Sequence, residues 1–331
     1  MEVVKNKKNN MKLVISGIIV FSVGFFVHNF FPRDHHLECE PDKFRYINID
    51  FVCSKKPVVE KYAYASLKGG LMSMIQQSKE ENKITSASIY FRDLQGGPTM
   101  GIEEYVKFSP ASLLKLPMLL TYLSLAESNP KILERQFSFS RFREEWKQYY
   151  PAQQQIQENI SYSINDMLNF MIRFSDNRSY YALLDYLTEL SPNESLLQKT
   201  FFDLGIVDPK DFIDETISVK AYASIFVGLY NNAFFSEKET SEKALEILIR
   251  TDFNEGIVKG LPPGMVVAHK FGERDGLPGG IKQLHDCGIV YFPENPYLLC
   301  VMTRGKDFQK LSDTIGIISA MVYKEFNDRS I

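Results

Sequence analysis

Ser112 and Lys115 stand three residues apart at the opening of an apolar run, ASLLKLPMLLTYLSL, that follows Phe108-Ser109-Pro110. In a helix this spacing puts both side chains on one face, so a neutral lysine amine reaches the serine hydroxyl and can take its proton. At a helix start the serine's own amide is free to hold developing negative charge, and the helix dipole assists. The chemistry is attack by an activated hydroxyl. An N-cap serine beside a snorkelling lysine gives the same pattern, and average residue usage yields about one such match by chance in a chain of this length.

Two further clusters sharpen the reading. Ser175-Asp176-Asn177 falls at a polar turn between the helical patterns Ile164 to Phe174 and Arg178 to Leu187. All three residue types also cap helices, and the looser match Ser163-Ile164-Asn165, followed by Asp166, reads as an N-cap. Lys270-Phe271-Gly272 lies in the strand-like VVAHKFG. A lysine among apolar strand neighbours is unusual, and the glycine admits close approach of another backbone. Its structural alternative is an edge-strand lysine that blocks aggregation.

The three clusters occur in order, each in a fitting context: helix start, interhelix turn, late strand. From about residue 58 to the end the chain resembles the penicillin-recognising serine hydrolases, the class A beta-lactamase and transpeptidase family, whose signature is this triplet. FSPASLLKLP, MIRFSDN and VAHKFGE are similar to its three motif segments, and HDCGIVYF with PYLLCVMTRG resembles its closing two strands. The resemblance implies Ser112 as acylated nucleophile, Lys115 as proton acceptor, and Ser175 as shuttle to the leaving nitrogen. Asn177 would hold Lys115 and a substrate amide, and Lys270 would supply positive potential. Backbone amides of Ser112 and Glu273, the residue after Gly272, would form the oxyanion hole. No metal or organic cofactor is implied.

Two departures bear on activity. Phe271 replaces the usual threonine, so no hydroxyl is present there to bind a substrate carboxylate; Arg274 or Arg304 would have to substitute, or Phe271 would face an apolar substrate group. The stretch from Asp203-Leu204-Gly205 to Asp214-Glu215-Thr216 is too short for the omega loop that carries the family's water-activating glutamate. Glu189 and Asn193 match that motif's spacing but belong to an earlier helix and turn, and Asp211 and Glu215 read as solvated loop carboxylates. An acyl-enzyme should therefore form and persist.

The elements that must position these residues run helix, two strands, helical block, three strands, helix. Apolar spacing predicts helices over Val58 to Ser78, Ala111 to Leu125 and Phe308 to Phe326. Strand patterns cover Thr85 to Arg92, Met100 to Ile102, Val266 to Phe271, Gln283 to Phe292 and Tyr297 to Thr303. The expected fold is α+β: a five-stranded antiparallel sheet with the terminal helices on it and an inserted all-helical lobe, the site lying in the crevice.

Composition sets the frame. The 331 residues are 44% hydrophobic and 24% charged, enough for a full core, and the net charge of −3 excludes a nucleic-acid surface. Cys39, Cys53, Cys287 and Cys300 lack zinc-site spacing. Cys287 and Cys300 lie in apolar strands and read as buried free thiols. Residues 13–31 are nineteen uncharged residues, preceded by Lys5, Lys7, Lys8 and Lys12 and followed by an acidic stretch.

The expected organisation is a cytoplasmic tail (1–11), a membrane anchor (12–31), a stalk (32–57) and an extracytoplasmic hydrolase domain (58–331). A cleaved signal peptide is the rival for the anchor. Cys39 and Cys53 are either bridged or free. Removing residues 1–31 takes away four lysines and one glutamate and leaves −6. The expected partner is a beta-lactam or peptidoglycan-like peptide. The alternatives are a D-alanyl-D-alanine peptidase or transpeptidase, and a non-catalytic cell-wall or partner-binding domain on the same scaffold.

Overall fold

Alternation along three long strands explains how one sheet acquires two buried faces. On β9 (Tyr297–Gly305), Leu298, Cys300 and Met302 join one core, while Tyr297, Leu299 and Val301 join the other. With no face left to solvent, β9 reads as a nearly continuous apolar run, whereas β8 (Ile281–Val290) buries Gln283, His285 and Asp286 among its apolar residues. The computed structural model describes residues 45–47, 64–95, 97–143, 148–203 and 216–329.

The main sheet adds β1 (Ser86–Asp93), β2 (Thr99–Ile102) and β7 (Val267–Leu277), in the order β2-β1-β9-β8-β7, with every neighbouring pair antiparallel. This is the expected α+β, five-stranded architecture. One face is covered by the two helices at the ends of the described chain, α1 (Ala65–Glu80) and, to name the last of the eight described helices, α8 (Phe308–Arg329). The stripe Leu311, Ile315, Ile318 and Val322 is fully buried there. Each such side chain contributes about 1.5 to 3 kcal/mol. The predicted first helix starts later than expected, at Ala65, and its residues 58–63 lie outside the described region.

The other face carries the helical lobe: α2 (Lys115–Ser128), α3 (Ile164–Arg173), α4 (Asn177–Leu190), α5 (Leu196–Asp203), α6 (Val219–Tyr230) and α7 (Lys238–Leu248). Ser163 caps α3 through a capping box with Asp166. The last three helices were legible only as part of a helical middle. Two short ladders lock the lobe to its flanks and were not foreseen: β3 (Lys107–Phe108) with β6 (Ile217–Ser218), and β4 (Gln136–Ser138) with β5 (Ser161–Ser163).

Two expectations need correction. Cys287 and Cys300 are not free thiols: they face each other in register on β8 and β9 and form a disulfide. The helix expected from Ala111 begins instead as a 3-10 turn, Ala111–Leu114, and becomes α-helical at Lys115. Ala111 has φ +49°, and the amide of Leu113 donates to the Pro110 carbonyl at 3.0 Å. Pro117 fits because a first helical turn needs no amide at that position. Among the described residues no helix is long and apolar enough to cross a membrane. The expected anchor, Cys39 and Cys53, and Asp211 and Glu215 lie outside them. Arg45, Tyr46 and Ile47 of the expected stalk do not: their amides donate to the Glu242 carboxylate and Ile47 is buried in the core, so this part of the stalk is packed on the domain.

Candidate active site

The nucleophile turn is gripped from the sheet. Gln283 and His285, two apart on β8, share a face; the amide of Ser109 donates to Gln283 Oε1 at 3.1 Å, and His285 Nε2 meets the Ser109 carbonyl at 3.0 Å. Tyr222 on α6 donates its hydroxyl to the carbonyl of Leu113 at 3.0 Å. His285 is fully buried, and burial pulls its pKa down to about 4. It is therefore neutral at physiological pH.

Lys115, on the first turn of α2, is 2% exposed and collects four oxygens. Its Nζ lies 3.2 Å from Ser112 Oγ, 3.1 Å from Ser175 Oγ, 2.7 Å from Asn177 Oδ1 and 2.5 Å from the Ser175 carbonyl. An ammonium has three protons and no acceptor. A neutral amine has two donors and a lone pair. The two short contacts go to oxygens that can only accept, which uses two N–H groups and leaves the lone pair for a hydroxyl proton. The geometry suits a lysine that removes the proton of Ser112.

Ser175 and Asn177 reach the site because the turn between α3 and α4 is built for it. Asp176 is the α4 N-cap, accepting from the amides of Arg178 and Ser179, the Ser179 hydroxyl and the Ile156 amide. The capping reading therefore holds for Asp176, while Ser175 and Asn177 of the same tripeptide are turned to Lys115. Ser175 sits at φ +56°, a conformation disfavoured without glycine, which aims both its hydroxyl and its carbonyl at Lys115.

Lys270 approaches from the other side. It is fully buried, donates to Ser175 Oγ at 3.0 Å and to the Phe271 carbonyl at 2.8 Å, and lies over the Phe271 ring. Burial, then the charge of Lys115, pulls its pKa well below the usual lysine range. Through the shared Ser175 hydroxyl the two lysine nitrogens come within about 6 Å of each other. The edge-strand reading of Lys270 is right about the strand, since β7 ends the sheet, yet the side chain is turned inward.

As an edge, β7 has alternate amides without strand partners, and it packs hard on the nucleophile turn. A Cβ on Gly272 would stand 2.9 Å from the Pro110 carbonyl and 3.1 Å from the Leu113 amide. That contact brings the following residue, Glu273, beside Ser112. Both line a cavity of about 670 Å³, together with Lys115, Asn177, Tyr149, Tyr180, Tyr181 and Arg274.

Not every expected residue reaches this cavity. Phe271 is 3% exposed and stacks on Phe253 at 3.8 Å between centroids, in the core under α1 and α8. It lines a separate hollow with Tyr150 and Arg173 rather than the wall beside Ser112. The reason is strand alternation: with Lys270 and Gly272 turned to the nucleophile, Phe271 must face the other way. Arg304 is committed to the Lys107 carbonyl and lies over the Phe108 ring, whereas Arg274 lines the cavity. Glu189 and Asn193 are exposed, on α4 and the turn after it.

The sequence reading overlooked the segment at Tyr149 and Tyr150. Their amides donate to the Glu273 carboxylate at 2.8 to 3.3 Å, and Tyr149 stacks on Phe308 at the cavity mouth. Burial raises the pKa of Glu273 against the opposing pull of these hydrogen bonds and of Lys115 and Lys270. The Gln283 and His285 grip was also overlooked. Its signal was present as Gln283 and His285 at alternate positions of a strand that also carries Lys282 and Asp286.

The fold and this constellation define a serine acyl-hydrolase scaffold. The model of the Beta-lactamase enzyme family matches residues 70–326, and the chain belongs to that family. It is thereby a serine hydrolase acting on amide bonds. No curated protein sequence is similar enough to stand as a relative. Among solved structures, the acyl-enzyme complex of a PBP-A variant with penicillin G is 22% identical, with a TM-score of 0.62 over 80% of this chain and 97% of that one. TLA-1 extended spectrum beta-lactamase is 17% identical, with 0.64 over 78% and 99%. The class A beta-lactamase from Mycobacterium abscessus is 18% identical, with 0.62 over 79% and 99%. These likenesses concern the fold.

Proposed function

We propose that Ser112 is acylated by a beta-lactam or a related amide, and that the acyl-enzyme turns over slowly. One observation carries the reading: Lys115 Nζ touches the hydroxyls of Ser112 and Ser175 and the Asn177 amide oxygen at once. Lys115 takes the Ser112 proton as Oγ attacks the carbonyl carbon. The oxyanion settles between the amides of Ser112 and Glu273. Ser175 then passes a proton to the leaving nitrogen and is recharged from Lys115, so that the C–N bond breaks with charge conserved.

Slow deacylation is supported by the carboxylates at hand. Among the described residues lining the cavity these are Glu273, tied to the Tyr149 and Tyr150 amides, and Asp275, ion-paired to Lys282 at 2.6 Å. Neither is placed to serve as a water-activating base while so engaged. That a PBP-A variant forms an acyl-enzyme with penicillin G on a similar fold is consistent with acylation at Ser112. The reading includes a location outside the cytoplasmic membrane, with residues 12–31 as anchor. The Cys287–Cys300 disulfide supports an oxidising compartment.

Intact mass after incubating the protein with labelled penicillin and with an activated ester tests the assignment. The expected result is a lasting mass gain that Ser112→Ala abolishes and Lys115→Met slows by about 10²- to 10⁴-fold. If no acyl donor adds mass at Ser112, the non-catalytic binding module replaces this reading; rapid turnover would refute the deacylation argument.

A further inference from the structure

Two stripes of side chains on α4 meet at one residue. Asn177, Tyr180, Tyr181 and Leu184 recur at helical spacing and line the cavity that holds Ser112. Arg178, Tyr181 and Asp185 form the neighbouring stripe and line a second, smaller hollow of about 70 Å³. Arg141, Phe142 and Arg143, from the segment after β4, line it too. Tyr181 belongs to both hollows, so a ligand arm that follows α4 out of the Ser112 cavity passes the edge of its ring into the second one. From Asn177 to Asp185 the helix rises about 12 Å.

The second hollow is cationic. Arg143 lies over the Tyr181 ring at 4.7 Å and is ion-paired to Asp185. Arg178 lies over the Phe142 ring at 4.9 Å and donates to the Ile156 carbonyl at 3.1 Å. Stacking on a ring fixes the plane of a guanidinium and keeps its fork of N–H donors in that plane. Arg141 is exposed and has no ion-pair partner among the described residues. Asp185 is the one carboxylate lining the hollow among the described residues, and Asp176, at the start of α4, is buried and committed to amides. With Arg178 left out of the count, two guanidinium groups still face one carboxylate.

We propose that this hollow is a subsite for a carboxylate at the far end of the arm of an acyl donor. The proposal deepens the acylation reading and rests on it for the seat of the donor. An exposed cluster of this kind selects by geometry more than by strength. A planar fork receives the anion, and only an arm long enough to pass Tyr181 presents it.

The test uses penicillins whose acyl arms, graded in length up to about 12 Å, end either in a carboxylate or in its methyl ester. Two carboxylate-to-ester ratios are measured on the full chain: acylation rates by intact mass, and affinities for Ser112→Ala by calorimetry, which need no chemistry. At a preferred arm length both ratios should exceed those of the shortest arms by roughly twofold to fivefold, the scale of a partly exposed ion pair. Arg141→Gln and Arg143→Gln should each lower that preference, and Asp185→Asn should raise it. Salt at about 1 M, with a screening length of about 3 Å, should shrink it.

The ratios divide out any loss of folded protein, and a damaged fold would not raise them in Asp185→Asn. Equal ratios at every arm length overturn the proposal, as do ratios that Arg141→Gln and Arg143→Gln leave unchanged. If labelling proceeds without the preference, acylation stands and the subsite fails. If Ser112→Ala shows the preference but no donor labels the wild type, the subsite stands and acylation fails. If no donor binds or labels, both fall.

Discussion

Replacing His285 by glutamine should remove a defined part of the acid sensitivity of the fold. The imidazole is fully buried on β8, edge-on to Phe108, with Nε2 on the Ser109 carbonyl. Burial, only partly offset by hydrogen bonds to backbone, holds its pKa at about 4 against an ordinary 6.5. Between those values the unfolded chain binds a proton that the native chain does not. Stability is therefore complete above about pH 6.5 and is lost as pH falls toward about 4. At about 1.4 kcal/mol per pH unit this amounts to roughly 3 kcal/mol.

Urea unfolding followed by circular dichroism between about pH 7.5 and about pH 4, on wild type and His285→Gln, measures this directly. The wild type should lose roughly 3 kcal/mol more than the variant across that range. Glu273 works with the opposite sign, since its raised pKa makes the native state the better proton binder as pH falls. It is common to both proteins and cancels in the difference. Equal losses in wild type and variant would refute the reasoning, because the neutral imidazole would then not be the group that titrates. Glutamine keeps a donor for Ser109, so its value at neutral pH reports packing and hydrogen bonding without the titration.

Gly272→Ala should damage catalysis more than stability. Its Cβ meets backbone atoms of Pro110 and Leu113, so relief comes only by moving the nucleophile turn or the strand. The expected outcome is a loss of about 1 to 3 kcal/mol in urea unfolding with at least a roughly tenfold slower acylation at Ser112. Phe271→Thr should not restore a family-like site: it hollows the Phe253 stack and should cost about 3 to 5 kcal/mol, with no gain in acylation by a carboxylate-bearing lactam. An intact melting temperature would contradict the first part, and faster acylation by such a lactam the second.

Much of this was legible from residue types. Hydroxyl, amine and carboxamide side chains announce their chemistry, and the order of the three clusters placed them on a helix start, a turn and a strand. The capping role of Ser163 could be read from spacing, whereas Asp176 was legible only as one of three capping residue types in its tripeptide. Other features were hidden for physical reasons. Positive φ at Ala111 and Ser175 is imposed by the surroundings on residues with no preference for it. The disulfide needs a register, and no apolar run reveals which residue of β8 opposes which of β9. The position of Phe271 was within reach, since turning Lys270 inward already commits its neighbour to the opposite face.

Two amines around one hydroxyl impose a direction on the proton path. Ser175 has one proton to give and two lone pairs to receive. Lys270, fully buried and with no carboxylate in contact among the described residues, is driven toward its neutral form, yet its N–H groups still point at Ser175 Oγ and the Phe271 carbonyl. Ser175 Oγ is thus an acceptor from Lys270, and its own proton is left to face either Lys115 or a leaving group in the cavity. Charging both lysines would set two ammonium groups within about 6 Å of each other in a desolvated site, which burial disfavours. The site is therefore arranged to hold at most one extra proton. On the proposed acylation, the proton that Lys115 would remove from Ser112 has one outlet toward a departing nitrogen, through the hydroxyl of Ser175.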